Sequence, residues 1–122
     1  MNKIFKNKKI LITGHTGFKG SWLTFWLKSL DAKICGVSKD VPTNPSLFNT
    51  LKLKKSILDL RVDIRNLSAL KKIVKNFKPD FVFHLAAQSL VKKSYLDPAY
   101  TFSTNAIGTG NLLESLRYLK NK

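Results

Sequence analysis

The sequence predicts a doubly wound parallel α/β sheet, incomplete and with strand order 3-2-1-4. Three observations predict it. Short apolar runs alternate with amphipathic helical stretches along the 122 residues. The runs are continuously apolar, as in parallel strands buried on both faces. A glycine-rich turn joins the first strand to the first helix. Right-handed crossovers convert the β-α-β-β-α-β-α succession into the stated order.

Lys9–Thr13 reads as the first strand and breaks at Gly14. Phe18, Trp22, Leu23, Phe25, Trp26, Leu27 and Leu30 recur at helical spacing, which predicts a helix covered on more than one face. Asp31-Ala32 turns the chain into a second strand, Ala32–Val37. Ser38–Thr50, with Pro42, Pro45, Asn44 and Asn49, reads as a long connection with one helical turn around Ser46–Asn49. Ile57–Val62 is the third strand. Asn66 or Ser68 caps a helix that runs to about Phe77, with Leu67, Leu70, Ile73, Val74 and Phe77 on one face. Phe81–Leu85 is the fourth strand, and residues 86–96 read as a loop. Asp97 as N-cap and Pro98 at the first helical position open a last helix to about Leu119. Its expected buried set is Ile107, Leu112, Leu113, Leu116 and Leu119. A complete doubly wound sheet has about six strands. Residues 1–122 are therefore expected to be the N-terminal part of a Rossmann-type dinucleotide-binding domain.

The length fits one domain, and 43% of the residues are hydrophobic, enough for a core. No apolar run is long enough to span a membrane, and the N-terminus lacks the pattern of a signal peptide, so the cytoplasm is expected. Cys35 stands alone in an apolar run and reads as a core thiol, with no disulfide partner and no metal-ligand spacing. The net charge of +15 raises nucleic acid as a partner. Yet 19 of the 22 basic residues are lysines spread along the chain, and only Arg61, Arg65 and Arg117 offer a guanidinium fork. Aromatic residues are not interleaved with them as stacking platforms. No nucleic-acid partner is expected; anionic ligands would be drawn by the same charge.

The turn Gly14-His15-Thr16-Gly17-Phe18-Lys19-Gly20 has the spacing and the strand-to-helix context of a phosphate loop. Gly14 permits the tight turn, Gly17 the close approach of a pyrophosphate, and Gly20 the packing of the helix near the sheet. The free amides and positive dipole end of the helix attract the anion. After strand two, Asp40 could hold the ribose hydroxyls of NAD, whereas Lys39 could meet the 2′-phosphate of NADP; Asp40 and NAD are preferred.

Residues 13–22 resemble the extended short-chain dehydrogenase/reductase superfamily, whose members act on nucleotide sugars. Pro42–Phe48, Asp63-Ile64-Arg65, His84–Val91, Ser94-Tyr95 and Thr104–Thr109 narrow the resemblance to the CDP-glucose 4,6-dehydratases. The resemblance implies an NAD-dependent enzyme that converts CDP-glucose to CDP-4-dehydro-6-deoxy-D-glucose. It implies backbone contacts from Phe18 and Lys19 to the pyrophosphate, and contacts from Asp63 and Ile64 to the adenine. Leu85, Ala86 and Ala87 would line the ribose and nicotinamide side, with Gln88 and Ser89 continuing toward the sugar substrate. Thr104 would touch the cofactor from the last helix, with Asn105 and Thr109 bracing the sheet end.

Plainer roles stand beside these. Asp63 could cap the turn after strand three, Ala86 and Ala87 could serve tight packing, and His84 reads as a satisfied core histidine. His15 either restricts access of the cofactor or points to solvent. The family's Thr-Asp-Lys and Tyr-x-x-x-Lys machinery is expected to be absent. Tyr118 and Lys122 match the second spacing but lie at the wrong end of the last helix. The resemblance therefore implies a cofactor-holding part, inactive alone, of a homodimeric or larger enzyme. Its last helix would belong to a subunit interface, leaving an exposed apolar stripe. The alternatives are a non-catalytic nucleotide-binding module or another NAD(P)-dependent nucleotide-sugar epimerase or dehydratase.

Overall fold

A computed structural model describes residues 3–119. Four parallel strands, β1 (Lys9–Thr13), β2 (Lys33–Ser38), β3 (Leu58–Arg61) and β4 (Phe81–His84), form one sheet in the order β3-β2-β1-β4. The helices are α1 (Phe18–Ser29), α2 (Leu47–Thr50), α3 (Leu67–Phe77), α4 (Val91–Leu96), α5 (Pro98–Phe102) and α6 (Gly108–Leu116). The strand order is the one the sequence predicts. Ile10, Leu11 and Ile12 of β1 are fully buried, as are Cys35 and Val37 of β2. They feed two cores, one on each face. Leu11, Cys35 and Val37 pack with Ile64, Leu70, Val74 and Leu112, whereas Ile10, Ile12 and Ile34 pack with Leu27 and Ala32. Cys35 is thus a core thiol, its pKa pushed up to about 12 by burial.

Burial on both faces holds for the two central strands only; β3 and β4 are partly exposed because they form the edges. Strand ends move by about one residue from the sequence boundaries. Asn66 and Asp97 are N-caps that the sequence offers, and Ser46 caps α2 in addition. Asn66 accepts from the Ala69 amide at 3.0 Å, Asp97 from Tyr100 at 2.9 Å and Ser46 from Asn49 at 3.2 Å.

Two helices depart from expectation. α1 buries its small residues, Gly20, Ser21 and Thr24, together with Leu27. Its large residues face outward: Phe18 is 72% exposed and Trp22 50%, and Phe25 and Trp26 are exposed as well. At its start the helix lies so close to the loop that Gly20 has no room for a side chain. The expected single helix from Pro98 to Leu119 runs unbroken from Pro98 to Leu116 but contains a π-helical turn. That turn, Ser103–Ile107, lies between α5 and α6, and α6 ends at Leu116. Leu112 lies in the core, but Ile107 and Leu113 are exposed, against their expected burial. Leu116 and Leu119 pack against the core from its rim. The expected loop 86–96 contains α4.

Phe102 and Leu113 (67% and 63%) and Leu90, Val91, Tyr95 and Leu96 leave apolar surface exposed on the segment from α4 to α6. The isolated chain should self-associate through it. Phe102→Lys combined with Leu113→Lys should raise the monomer fraction in light scattering. A monodisperse wild-type monomer contradicts this expectation.

Candidate functional site

The carboxyl ends of β1, β2, β3 and β4 open into one cleft of about 480 Å³. Its floor is formed by Gly14, Thr16 and Gly17 of the turn that runs to Gly20. Gly14 has φ +75°, and its amide donates to the Val37 carbonyl at 2.8 Å. A Cβ at Gly14 would stand 2.6 Å from the Ala86 nitrogen and 2.7 Å from the Leu85 carbonyl carbon. Absence of a side chain here lets the β1 and β4 turns touch. Gly20 lies under the loop, where a Cβ would overlap the Gly14 carbonyl oxygen and come within 2.8 Å of the His15 Cα. Its small size therefore serves helix-to-loop packing. Gly17 differs: a Cβ there would meet only the Gly14 oxygen, at an ordinary 3.5 Å. Protein packing does not require a glycine at 17, and the space before it opens into the cleft. Gly17 is also the N-cap of α1, whose first turn carries no acidic residue. The amides and dipole of that turn are left for an external anion.

His15 neither enters the cleft nor points to solvent. It is fully buried, with Nε2 donating to Asp59 Oδ1 at 2.7 Å. A carboxylate only accepts, so Nδ1 is the acceptor for the Ser38 hydroxyl at 3.0 Å. Ser38 Oγ in turn accepts from the Thr16 amide at 3.4 Å. Arg61 closes the chain on Asp59 Oδ2 at 3.0 Å, and Phe48 packs edge-on to the imidazole. Bulk between the phosphate loop and β3 is thus supplied by the His15 ring, which fits because Gly36 beneath it has no side chain.

A second histidine stands in the β4 strand. Thr109 donates to the Asn105 carbonyl at 2.6 Å, so its oxygen accepts from His84 Nε2 at 2.9 Å. His84 Nδ1 then accepts from the Thr13 hydroxyl at 2.6 Å, and Thr13 Oγ1 accepts from the Ala86 amide at 3.2 Å. His84 is satisfied in its hydrogen bonds, as the sequence suggests, but half-buried rather than in the core. Burial lowers the pKa of both histidines, opposed at His15 by the Asp59 hydrogen bond. Each is neutral in the fold and gains a proton more readily when unfolded. Stability should therefore be complete above the ordinary histidine pKa of about 6.5 and decline as pH falls below it, by at most about 1.4 kcal/mol per pH unit per histidine. Denaturant titrations across this range test it; a flat profile contradicts it.

The cleft brings together most of the residues singled out by sequence. Gly14, Thr16 and Gly17 form its floor, with Asp40 beside them. Asp63 and Ile64 line one wall, and Leu85, Ala86, Ala87, Gln88, Ser89 and Thr104 line the other. Phe18 and Lys19 lie outside the lining, with exposed side chains, so only their backbone is oriented for an anion. Gly20 is buried below. Thr16 Oγ1 donates to the Asp40 carbonyl at 2.6 Å, which ties the β2 turn to the loop.

Asp63 also performs the plainer role: it accepts from the Arg65 amide at 2.9 Å and from its guanidinium at 2.7 Å. The guanidinium holds its pKa below the usual carboxylate value. The Gln88 side chain is turned inward, donating to the Leu90 carbonyl at 3.1 Å and to Thr101 Oγ1 at 3.0 Å. Asn105 clamps the Gln88 backbone, accepting from its amide at 2.7 Å and donating to its carbonyl at 2.9 Å. Asn105 and Thr109 thus brace the sheet end. Thr104 Oγ1 is buried in the wall of the cleft without a hydrogen-bond partner. Pro42, Thr43, Lys93 and Tyr100 also line the cleft without having been singled out as site residues. Tyr100 carries no motif; only its place one helical turn before Thr104 points to it.

A depression of about 490 Å³ on α3 is lined by Leu67, Ser68, Lys71, Lys72 and Lys75. It offers no converging loops and no glycine approach. Tyr118 is exposed beside Lys71 and Arg117, and Lys122 lies outside the described residues. No cluster of three or more metal-ligating side chains occurs among the described residues. No helix among them is long and apolar enough to cross a membrane.

A family model described as GDP-mannose 4,6 dehydratase matches residues 11–122. The chain belongs to that family. Within the GDP-mannose 4,6 dehydratase family and its relatives, it is 44% identical over 117 residues to CDP-glucose 4,6-dehydratase of Salmonella typhimurium. That match covers 96% of this chain and 33% of the relative. It is 36% identical over 122 residues to GDP-mannose 4,6-dehydratase of Vibrio cholerae, covering 92% of this chain and 32% of the relative. Among solved structures, UDP-glucose 4-epimerase of Thermus thermophilus in complex with NAD superposes with a TM-score of 0.82 at 29% identity. The superposition covers 93% of this chain and 35% of the epimerase. The chain thus spans about a third of the length of the curated relatives it matches.

Proposed function

We propose that these residues hold NAD for a nucleotide-sugar 4,6-dehydratase that acts on CDP-glucose. The observation that carries this is the open space before Gly17 at an α1 N-terminus without an acidic residue. The pyrophosphate would lie there, on the amides of Phe18 and Lys19. Asp40 would accept from the ribose hydroxyls and Asp63 from the adenine amino group, with Ile64 against the ring. Leu85, Ala86 and Ala87 would admit the nicotinamide ribose, Thr104 would give its unpartnered hydroxyl to the cofactor, and Ser89 would face the sugar. Gln88 would act through the loop shape that its inward hydrogen bonds impose. When bound, NAD would supply hydride transfer, taking a hydride from C4 of the glucose unit and returning it to C6 after loss of water across C5 and C6.

The chain's own part is to bind and orient; we assign no catalytic residue to it. The catalytic groups, the cytoplasmic setting and the homodimeric or larger assembly belong to the same proposal. The 44% identity to the Salmonella enzyme favours CDP-glucose over GDP-mannose. Competitive binding of CDP-glucose, GDP-mannose and UDP-glucose to the NAD-loaded chain tests the choice. Preference for CDP-glucose supports it; preference for GDP-mannose overturns it. Dehydration of CDP-glucose by the chain alone contradicts the purely cofactor-holding role.

A further inference from the structure

We propose that the outer face of α1 docks on an anionic lipid bilayer. The inference is independent of the cofactor reading, because this face lies outside the cleft. Phe18, Trp22, Phe25 and Trp26 are each at least 45% exposed. Their spacing along α1 sets them within about 100° of the helix circumference. The buried side, with Gly20, Thr24 and Leu27, is turned the other way. There Leu27 closes the core over Ile10, Ile12 and Ile34, so the four rings are not what seals the sheet. Trp22 and Phe25 meet edge-on, with ring centroids 6.3 Å apart. Phe5 bridges Trp26 and Phe81 at 6.5 and 5.4 Å, which continues the aromatic surface beyond α1.

The border of this surface is cationic. α1 carries no acidic residue, and Lys19 and Lys28 fall at the two edges of its aromatic stripe. Phe5 brings exposed Lys6 and Lys8 alongside, and the Lys33 amide donates to the Lys8 carbonyl at 2.8 Å. None of these five lysines forms an ion pair among the described residues. The acids on this side are Asp31 and Asp80, and Asp80 accepts from the Lys9 amide at 2.8 Å.

Charge and shape together select the occupant. Indole and phenyl rings settle at the headgroup level of a bilayer, while lysine stems snorkel and their ammonium groups meet lipid phosphates. An anionic leaflet attracts each such lysine. A second copy of the chain, also with a net charge of +15, would set lysine edges against lysine edges. The outer side of a helix is a convex ridge, which a protein partner must match with a groove; a fluid surface needs no such match.

Both tryptophans of the chain lie on this stripe, so their fluorescence reads the face directly. The test is cosedimentation of the folded 122-residue chain with vesicles of phosphatidylcholine, alone or with about a third phosphatidylglycerol. Partitioning onto the anionic vesicles should be at least about tenfold stronger, with blue-shifted emission that brominated lipid quenches. Trp22→Gln combined with Phe25→Gln should lower partitioning at least about tenfold and leaves Trp26 as reporter. Lys28→Gln combined with Lys33→Gln should weaken binding to the anionic vesicles and narrow their advantage. Circular dichroism checks the fold of each variant. The proposal is overturned if a folded chain binds neither vesicle, binds both alike, or sediments with no change in emission. It is equally overturned if the emission shifts with protein concentration in the absence of lipid and the aromatic double variant abolishes that shift, since a second copy then covers the face.

Discussion

Gly17→Ala is expected to weaken dinucleotide binding at least about a hundredfold while changing fold stability by less than about 1 kcal/mol. The added methyl has room within the protein, since its nearest neighbour would be the Gly14 oxygen at 3.5 Å. It takes up the space proposed for the pyrophosphate. Gly20→Ala is the contrasting case. Its methyl would overlap the Gly14 carbonyl, which is backbone and cannot swing aside. That substitution should cost about 3 kcal/mol and remove binding together with stability. Urea unfolding and calorimetry on the two variants separate the roles. If both glycines lose stability equally, or Gly17→Ala binds NAD normally, the space before Gly17 is not where the pyrophosphate lies.

The second large effect belongs to His15. His15→Ala should destabilise the fold by about 3 kcal/mol. It empties a buried volume between the loop, Gly36 and Phe48. It also leaves the Asp59 carboxylate, 5% exposed, with Arg61 alone, and leaves Ser38 without its acceptor. Loss of one of the carboxylate's two partners adds to the cavity loss. A double-mutant cycle with Asp59→Asn should show coupling of about 1 kcal/mol or more, because the pair acts as one network. Additive losses from the two substitutions would mean that the His15–Asp59 bond contributes nothing beyond packing.

Period and turn chemistry make the sheet legible in the sequence. KILIT, the Gly14 break and the caps at Asn66 and Asp97 are local signals, and the strand order follows from chain handedness. Burial is less legible. α1 reads as a helix covered on more than one face, yet Gly20, Ser21, Thr24 and Leu27 are its buried residues and Trp22 is half exposed. Periodicity marks which residues share a face; it does not say which face the close approach of helix and loop buries. The π-helical turn at Ser103–Ile107 has no composition signal, and Leu113, next to buried Leu112 in α6, lies exposed where the sequence expects burial.

In the cleft, residues belonging to motifs come together as expected because they follow strand ends. His15 defies both of its expected roles, because its partners Ser38 and Asp59 are 23 and 44 residues away. Tyr100 escapes sequence reasoning for the same reason: it gains meaning only from Lys39, which is 61 residues distant.

The most direct test of the central claim is calorimetric titration of the chain with NAD, after circular dichroism has shown it folded. Saturable binding at a single site per chain, lost in Gly17→Ala, is the predicted result. A folded chain that takes up no NAD at millimolar concentration would contradict it.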